Sequence, residues 1–122
     1  MKETYQTGLW GETVAEHHLV RKYGMVCLER RYRTKCGEID LIMQDKDTIV
    51  FVEVKARPNS RPGSGISAVD LRKQKRILNA ALLFLMKHHR NHQNVRFDLV
   101  EISNSDILYI PDAFQPYGRY YR

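Results

Sequence analysis

Three charged side chains stand inside two hydrophobic, strand-like runs: Asp40 in GEIDLI, and Glu53 and Lys55 in FVEVKAR. Because successive side chains alternate between the two faces of a strand, Glu53 and Lys55 share one face. If the turn at 45–48 joins antiparallel neighbours, Asp40 can face Glu53 across the ladder. Two carboxylates buried this close repel each other, so such a pair needs cations to compensate it.

A divalent metal ion together with Lys55 would supply that compensation. Hard carboxylate oxygens favour Mg²⁺ or Mn²⁺, which keep water ligands and leave room for phosphate oxygens. Metal-bound water is more acidic than bulk water, and a neighbouring lysine can orient it or neutralise charge that develops during an in-line displacement. The pattern predicts a phosphodiesterase site. The alternative is an exposed Glu53–Lys55 ion pair with Asp40 at a solvated edge.

The motifs resemble those of a nuclease superfamily. GEIDLI followed by FVEVKAR is similar to the PD-(D/E)xK nucleases, although Ile39 stands where that pattern has proline. With GxxGExxAxxxL at 8–19, KQKRILNAALLFL and RFDLVEI, the chain resembles the YraN-like family of predicted endonucleases, which is similar to archaeal Holliday-junction resolvases. The resemblance covers nearly the whole chain. It implies a restriction-endonuclease-like core and a metal-dependent DNA endonuclease.

Carried over residue by residue, the resemblance implies a role for each residue of the two central motifs. Asp40 would bind the metal, Glu53 would be the second carboxylate, and Lys55 would be the catalytic lysine. The main-chain carbonyl of Val54 would complete the inner ligand shell. The cofactor would be Mg²⁺ or Mn²⁺.

The first helix would add a further acid to this site. Glu12 matches the glutamate that such nucleases place near the metal, usually through water, and Glu16, one turn later, is the alternative. Branched or distorted DNA as the substrate rests only on the similarity to junction resolvases. That similarity also leaves a homodimer open, although no feature of the sequence identifies an interface.

The charge balance suits an anionic partner. Lys and Arg number 20 against 14 Asp and Glu, which gives a net charge of +6 and a pI near 9.5. DNA is the expected partner and RNA the alternative. The side chains expected to contact nucleic acid are Arg31, Arg33, Lys35, Arg57, Arg72, Lys73, Lys75 and Arg76. Two rival functions stay open: a non-catalytic nucleic-acid-binding module on a nuclease-like fold, and a basic scaffold for an acidic protein.

The elements that must position these residues can be predicted from periodicity. A first helix over 8–23 repeats its inward side chains at spacings of three and four, and Gly24 ends it. Three strand-like runs follow as a meander, then a second helix and two further strands. This order predicts an α/β (α+β) domain in which helices flank a central mixed sheet. On the fourth strand, Arg96 and Asp98 share a face, which favours a structural ion pair.

The second helix has its own start signal and apolar side. Ser67 and Asp70 form an S-x-x-D capping signature after a Pro, Gly and Ser-rich loop at 57–67. The helix is expected to end near His89. Its predicted apolar side contains four leucines, Leu71, Leu78, Leu82 and Leu85.

Length and composition limit the remaining possibilities. The 122 residues fit one domain over 1–122, with 111–122 as a flexible tail or a segment packed on the domain. The longest apolar run, 80–86, is far short of a membrane span, so no membrane partner is expected. Cys27 and Cys36 form no CxxC pair, which favours reduced thiols. Cytoplasmic localisation is therefore the expectation.

Overall fold

The computed structural model describes residues 5–57, 69–90, 93–104 and 106–116, with main chain alone for 5–7. The elements in chain order are α1 (Tyr5–Tyr23), β1 (Val26–Arg33), β2 (Glu38–Asp45), β3 (Thr48–Ala56), α2 (Leu71–Lys87), β4 (Asn94–Ser103) and β5 (Asp106–Ile110). They build a five-stranded sheet in the order β1-β2-β3-β4-β5. The predicted order of elements and the mixed sheet are confirmed.

The direction of each strand follows from the connection that precedes it. Short turns join β1 to β2, β2 to β3 and β4 to β5, and each of these pairs is antiparallel. Among the described strands, the pair β3 and β4 is parallel, and α2 lies in the connection between them. A parallel pair requires such a crossover, because the chain must return to the end of the sheet at which the first strand began. The strand that carries Glu53 and Lys55 is thus the centre of the sheet.

The two helices cover opposite faces of this sheet. Ala15 and Leu19 of α1 pack against one face, in a cluster with side chains of β2, β3 and β4. Phe84 of α2 packs against the other face, in a cluster with Phe51 and Phe97. Because the central strand is buried on both faces, its sequence is almost continuously apolar. A charged residue in that strand therefore lies in a dry environment.

The start of α2 differs from the predicted capping signature. Asp70 is itself the N-cap, and its side chain accepts a hydrogen bond of 2.9 Å from the main-chain N–H of Lys73. Ser67 lies outside the described residues, as does most of the predicted loop. The helix ends at Lys87, close to the predicted end, with His88 as its C-cap.

The leucine side predicted for α2 is wrong in part. Leu85 is buried, but Leu71 is 81% exposed and Leu82 is 47% exposed. The buried face is instead formed by Ile77, Ala80, Ala81, Phe84 and Leu85. Small alanine side chains let the helix backbone lie close to the sheet, so the buried face is centred on them rather than on the leucine stripe.

Two glycines allow the helices to approach the sheet where the charged residues lie. A Cβ on Gly11 of α1 would stand 2.7 Å from the Cβ of Ala56, at the end of β3. A Cβ on Gly37, just before β2, would stand 2.8 Å from the main-chain oxygen of Arg76 in α2. Real Cβ atoms do not approach other atoms this closely. Glycine at these positions therefore brings α1 and α2 close to the strands that carry Asp40, Glu53 and Lys55.

The predicted ion pair on β4 is confirmed and belongs to a buried network. Arg96 Nε lies 3.0 Å from Oδ1 of Asp98, which has no exposed surface. The Tyr109 hydroxyl donates to Asp98 over 2.5 Å, and the main-chain N–H of Asp112 donates over 2.9 Å. This network holds the segment after β5 on the sheet, where the N–H of Ala113 donates to the carbonyl of Phe97. The rest of the predicted tail, 117–122, lies outside the described residues.

Neither cysteine forms a disulfide bond. Cys27 is partly buried, Cys36 is exposed, and both are free. In the part of the chain that the structure describes, neither α1 nor α2 has the length and apolar character that crossing a membrane requires.

Candidate active site

Asp40 lies where the ladder between β2 and β3 ends. The paired residues run from Asp45 and Thr48 at the turn to Leu41 and Val52, and Asp40 is the next residue of β2. Its Oδ2 accepts a hydrogen bond of 2.8 Å from the main-chain N–H of Val54. The carboxylate thus takes the place of a main-chain acceptor, and it is fixed to the strand that carries the other two charged residues.

An irregularity in β2 and β1 accompanies this position. Strict alternation would put Ile39 and Ile42 on opposite faces, yet both belong to the cluster on the α2 side. Arg31 of β1 lies between Arg30 and Tyr32, which pair with Leu41 and Ile39, and it has a φ of 51°, which is uncommon for a residue with a side chain. The pleat is therefore interrupted around Asp40. That interruption lets its carboxylate contact Glu12 of α1 while staying close to Glu53.

Glu53 is the most enclosed member of the site, with a side chain only 5% exposed. Its Oε2 lies 3.4 Å from Nζ of Lys55. The same oxygen also contacts Nζ of Lys73. Lys55 comes from the same strand, whereas Lys73 reaches the carboxylate from the first turn of α2. One buried carboxylate therefore has two lysines on a single oxygen.

Two carboxyl groups of the site, those of Asp40 and Glu12, have raised pKa values. Burial, and next the charge of Glu53, raise the pKa of Asp40 well above its ordinary value, against the opposing effect of the Val54 N–H. Burial also raises the pKa of Glu12, although Arg31 opposes this with a contact of 2.8 Å. Glu12 and Asp40 are in hydrogen-bonding contact. Such proximity requires either a shared proton or a nearby cation.

The two lysines respond differently to the same carboxylate. Burial, and then the neighbouring ammonium of Lys73, lower the pKa of Lys55. Burial alone would also lower the pKa of Lys73, but the charge of Glu53 outweighs it and the pKa is raised. Lys73 is therefore the more firmly charged of the two cations, and Lys55 is the one held in a position unfavourable to its charge.

The donor chemistry of this site fits a hard divalent cation. Within residues 5–57, 69–90, 93–104 and 106–116, no three His, Cys, Asp or Glu side chains converge as a ready-made metal cage. Mg²⁺ does not need one, because it keeps several waters and is commonly held by one or two carboxylates. Asp40 and Glu53 could supply two such carboxylates, and Glu12 lies next to Asp40.

The two candidate acids of α1 are separated by their partners. Glu16 forms two hydrogen bonds with Arg30, of 2.7 and 2.6 Å, on the exposed side of the helix. Glu12 faces Asp40 and Arg31. The geometry therefore places Glu12, and not Glu16, beside Asp40.

The residues predicted to contact nucleic acid divide into two groups. Arg31 and Lys73 are turned toward carboxylates of the site. The others lie on the surface around the site. Near the β1–β2 turn, Arg33 and Lys35 are exposed, and Arg33 lies 3.6 Å from Glu38. Arg57 is partly exposed after β3, and three further side chains are exposed at the start of α2: Arg72, Lys75 and Arg76. Sequence reasoning missed the inward direction of Arg31 and Lys73. For Lys73 the sequence offers no local signal, because its direction depends on how α2 packs against the sheet.

A cleft of about 530 Å³ opens between α1 and β1 and reaches the site along Glu12 and Arg31. Leu9, Val20 and Leu41 are among the residues that line it. The site therefore borders this open cleft at Glu12.

Comparison with known proteins places these residues in a family context. The model of the family described as "Uncharacterised protein family UPF0102" matches residues 11–102. A UPF0102 protein of Stutzerimonas stutzeri is 39% identical over 120 residues, which cover 94% of the chain and 99% of that protein. Another, of Syntrophomonas wolfei, is 43% identical over 113 residues, 89% of the chain and 97% of the relative. One of Haemophilus influenzae is 46% identical over 93 residues, 73% of the chain and 78% of the relative. The span matched by the family contains Glu12, Asp40, Glu53, Lys55 and Lys73.

Proposed function

The chain belongs to the uncharacterised protein family UPF0102, and we propose that it is a metal-dependent endonuclease that hydrolyses phosphodiester bonds in DNA. The observation that carries the proposal is the bond from the Val54 N–H to Asp40. It fixes one carboxylate beside the strand that presents Glu53 and Lys55. Buried like charges are costly, and functional sites are where proteins keep them.

Each residue of the site has a task in this reaction. Asp40 and Glu53 would hold Mg²⁺ or Mn²⁺ with the carbonyl of Val54, and Glu12 would hold a water of the outer shell. When bound, the metal supplies an acidic water and offsets charge on the phosphate. Lys55, which lies 3.4 Å from Glu53, would orient the attacking water or donate to a phosphoryl oxygen as negative charge builds up.

The surface beside the site suits a phosphate backbone. Arg72, Lys75 and Arg76 are exposed on the first two turns of α2, where the helix dipole adds positive potential. Contacts of this kind hold a nucleic acid in position without reading its sequence. The substrate would then be selected by shape. Branched DNA is the proposed form, from the similarity to junction resolvases, with RNA as the alternative.

A substrate screen tests this function. The parent and Asp40→Asn are incubated in Mg²⁺, Mn²⁺ or EDTA with linear, nicked, flapped, four-way and single-stranded DNA and with RNA. We expect the parent to cut at least one branched DNA in metal but not in EDTA, and the variant to bind it without cutting. Binding without cleavage under every condition would instead indicate a non-catalytic module. Absence of both binding and cleavage would contradict any nucleic-acid function.

A further inference from the structure

The ammonium of Lys73 lies against the carboxylates of the site, where a bound metal ion would also have to lie. Its ammonium contacts Glu53, and the negative charge of Asp40 also attracts it. These two acids are the same ones that the proposed function assigns to the metal. The lysine therefore competes for the same negative charge as a divalent ion.

This contact is not required to balance Glu53 alone. Lys55 already lies 3.4 Å from the same oxygen, and it is close enough to Lys73 for that ammonium to lower its pKa. Two cations held this close repel each other, and a lysine in the first turn of a helix opposes the helix dipole. The arrangement is favourable because the negative charge of Glu53 attracts both lysines and that of Asp40 also attracts Lys73.

The anchoring of Lys73 permits its side chain to move while its backbone stays in place. Asp70 caps α2 and accepts from the main-chain N–H of Lys73 over 2.9 Å. The side chain remains 36% exposed, in contrast to the buried Glu53 that it contacts. A long, partly exposed lysine can therefore exchange one anionic partner for another within reach, without any change in the helix.

We propose that Lys73 is the internal counter-ion of the site: its ammonium neutralises Glu53 until a divalent cation displaces it, and it then binds a non-bridging oxygen of the phosphate that is cleaved. The inference rests on the proposed function and adds a residue to it. It predicts that metal and Lys73 compete for Glu53 in the absence of DNA. It also predicts that the lysine contributes to cleavage only after metal has bound.

Metal affinity measured without DNA tests the competition. Mn²⁺ binding is titrated by calorimetry for the parent, Lys73→Gln and Lys73→Arg, with Lys75→Gln as the matched control. Lys75 follows Lys73 two residues later in α2, is exposed, and carries the same charge. We expect Lys73→Gln to bind Mn²⁺ about threefold to tenfold more tightly, as the loss of one competing ion pair implies. Lys73→Arg and Lys75→Gln should remain close to the parent.

The opposite effect on catalysis completes the test. At saturating Mn²⁺ and saturating DNA, Lys73→Gln should cut about a hundredfold more slowly, the usual cost of removing one donor to the transition state, and Lys73→Arg should recover part of the rate. Equal Mn²⁺ affinity of Lys73→Gln and the parent would overturn the inference and leave the proposed nuclease intact. So would an equal gain in Lys75→Gln, because general electrostatics would then explain the result. A parent that binds no Mn²⁺ would overturn the proposed function as well.

Discussion

The main-chain N–H of Val54 donates to Oδ2 of Asp40 over 2.8 Å, at the point where the ladder between β2 and β3 ends. The aspartate is thus held by the backbone of the strand that presents Glu53 and Lys55. Its charge can be removed without losing this bond, because an asparagine side chain still offers a carbonyl oxygen as the acceptor. The two properties of Asp40, its charge and its hydrogen bond, can therefore be separated by substitution.

The charge of Asp40 should make the protein less stable as the pH rises. Burial and Glu53 raise the pKa of the folded carboxyl above its value of about 3.9 in the unfolded chain. Between these two values the folded state binds more protons, so the free energy of unfolding falls with increasing pH. In EDTA, Asp40→Asn should have nearly the parent's Tm at about pH 4 and a Tm several degrees higher at pH 8. Melting curves across this range measure the difference.

Asp40→Ala is the control for that substitution. It removes the charge and also leaves the Val54 N–H without its acceptor, which costs about 1–3 kcal/mol when the group is buried. Its Tm at pH 8 should lie below that of Asp40→Asn. If Asp40→Asn were less stable than the parent at pH 8, Asp40 would belong to an ordinary structural network.

The core of this site could be predicted from the sequence because its geometry is local. Alternation along β3 puts Glu53 and Lys55 on one face, and the turn at 45–48 makes β2 antiparallel, so Asp40 falls beside them. Both inferences need only the pattern of two adjacent strands. The resemblance to nucleases added Glu12, whose approach depends on the packing of α1.

The features that could not be predicted depend on tertiary packing. Lys73 reaches Glu53 only because α2 lies against β2 near Gly37, and nothing in its local sequence distinguishes it from Lys75. Arg31 turns toward Glu12 where the backbone leaves the extended region. The buried face of α2 departs from the leucine stripe for the same reason, since alanines allow the closest packing on the sheet.

The start of α2 should contribute to DNA affinity by neutralising phosphates. Replacing Arg72, Lys75 and Arg76 together with glutamine should weaken binding to all DNA sequences alike. It should also flatten the dependence of log K on log salt, by about 0.9 for each phosphate that the variant no longer neutralises. Fluorescence anisotropy over a range of salt concentrations measures both effects. Lys87→Gln, at the exposed far end of the same helix, is the control and should change the slope little; an unchanged slope in the triple variant would exclude this surface.

Gly11 should be required for the close approach of α1 to β3. Glycine to alanine within a helix normally stabilises by about 0.5–1 kcal/mol, because it restricts the unfolded chain. Gly11→Ala should instead destabilise by about 1–3 kcal/mol, since the new Cβ would stand 2.7 Å from the Cβ of Ala56. Urea unfolding measures the change in the free energy of unfolding.

A second substitution checks that the collision with Ala56 causes this loss. Ala56→Gly removes the opposing Cβ, so the double variant should be more stable than the sum of the two single effects predicts. Strict additivity would mean that the two residues do not collide. Stabilisation by Gly11→Ala alone would show that α1 has room to accept a side chain there.

Cleavage by single-site variants tests the central claim that Asp40, Glu53 and Lys55 act together as one metal-dependent catalytic site. The rate is measured at saturating Mn²⁺ on the best substrate, for the parent, Asp40→Asn, Glu53→Gln, Lys55→Ala and the Asp40→Asn/Lys55→Ala double variant, with Lys87→Ala as the control. Each single site variant should lose at least about a thousandfold in rate while still binding DNA, and the double variant should be little worse than either single one, because residues that act as a unit are not additive. The control should cut like the parent. Cleavage at the parent's rate by all three single variants would contradict the account.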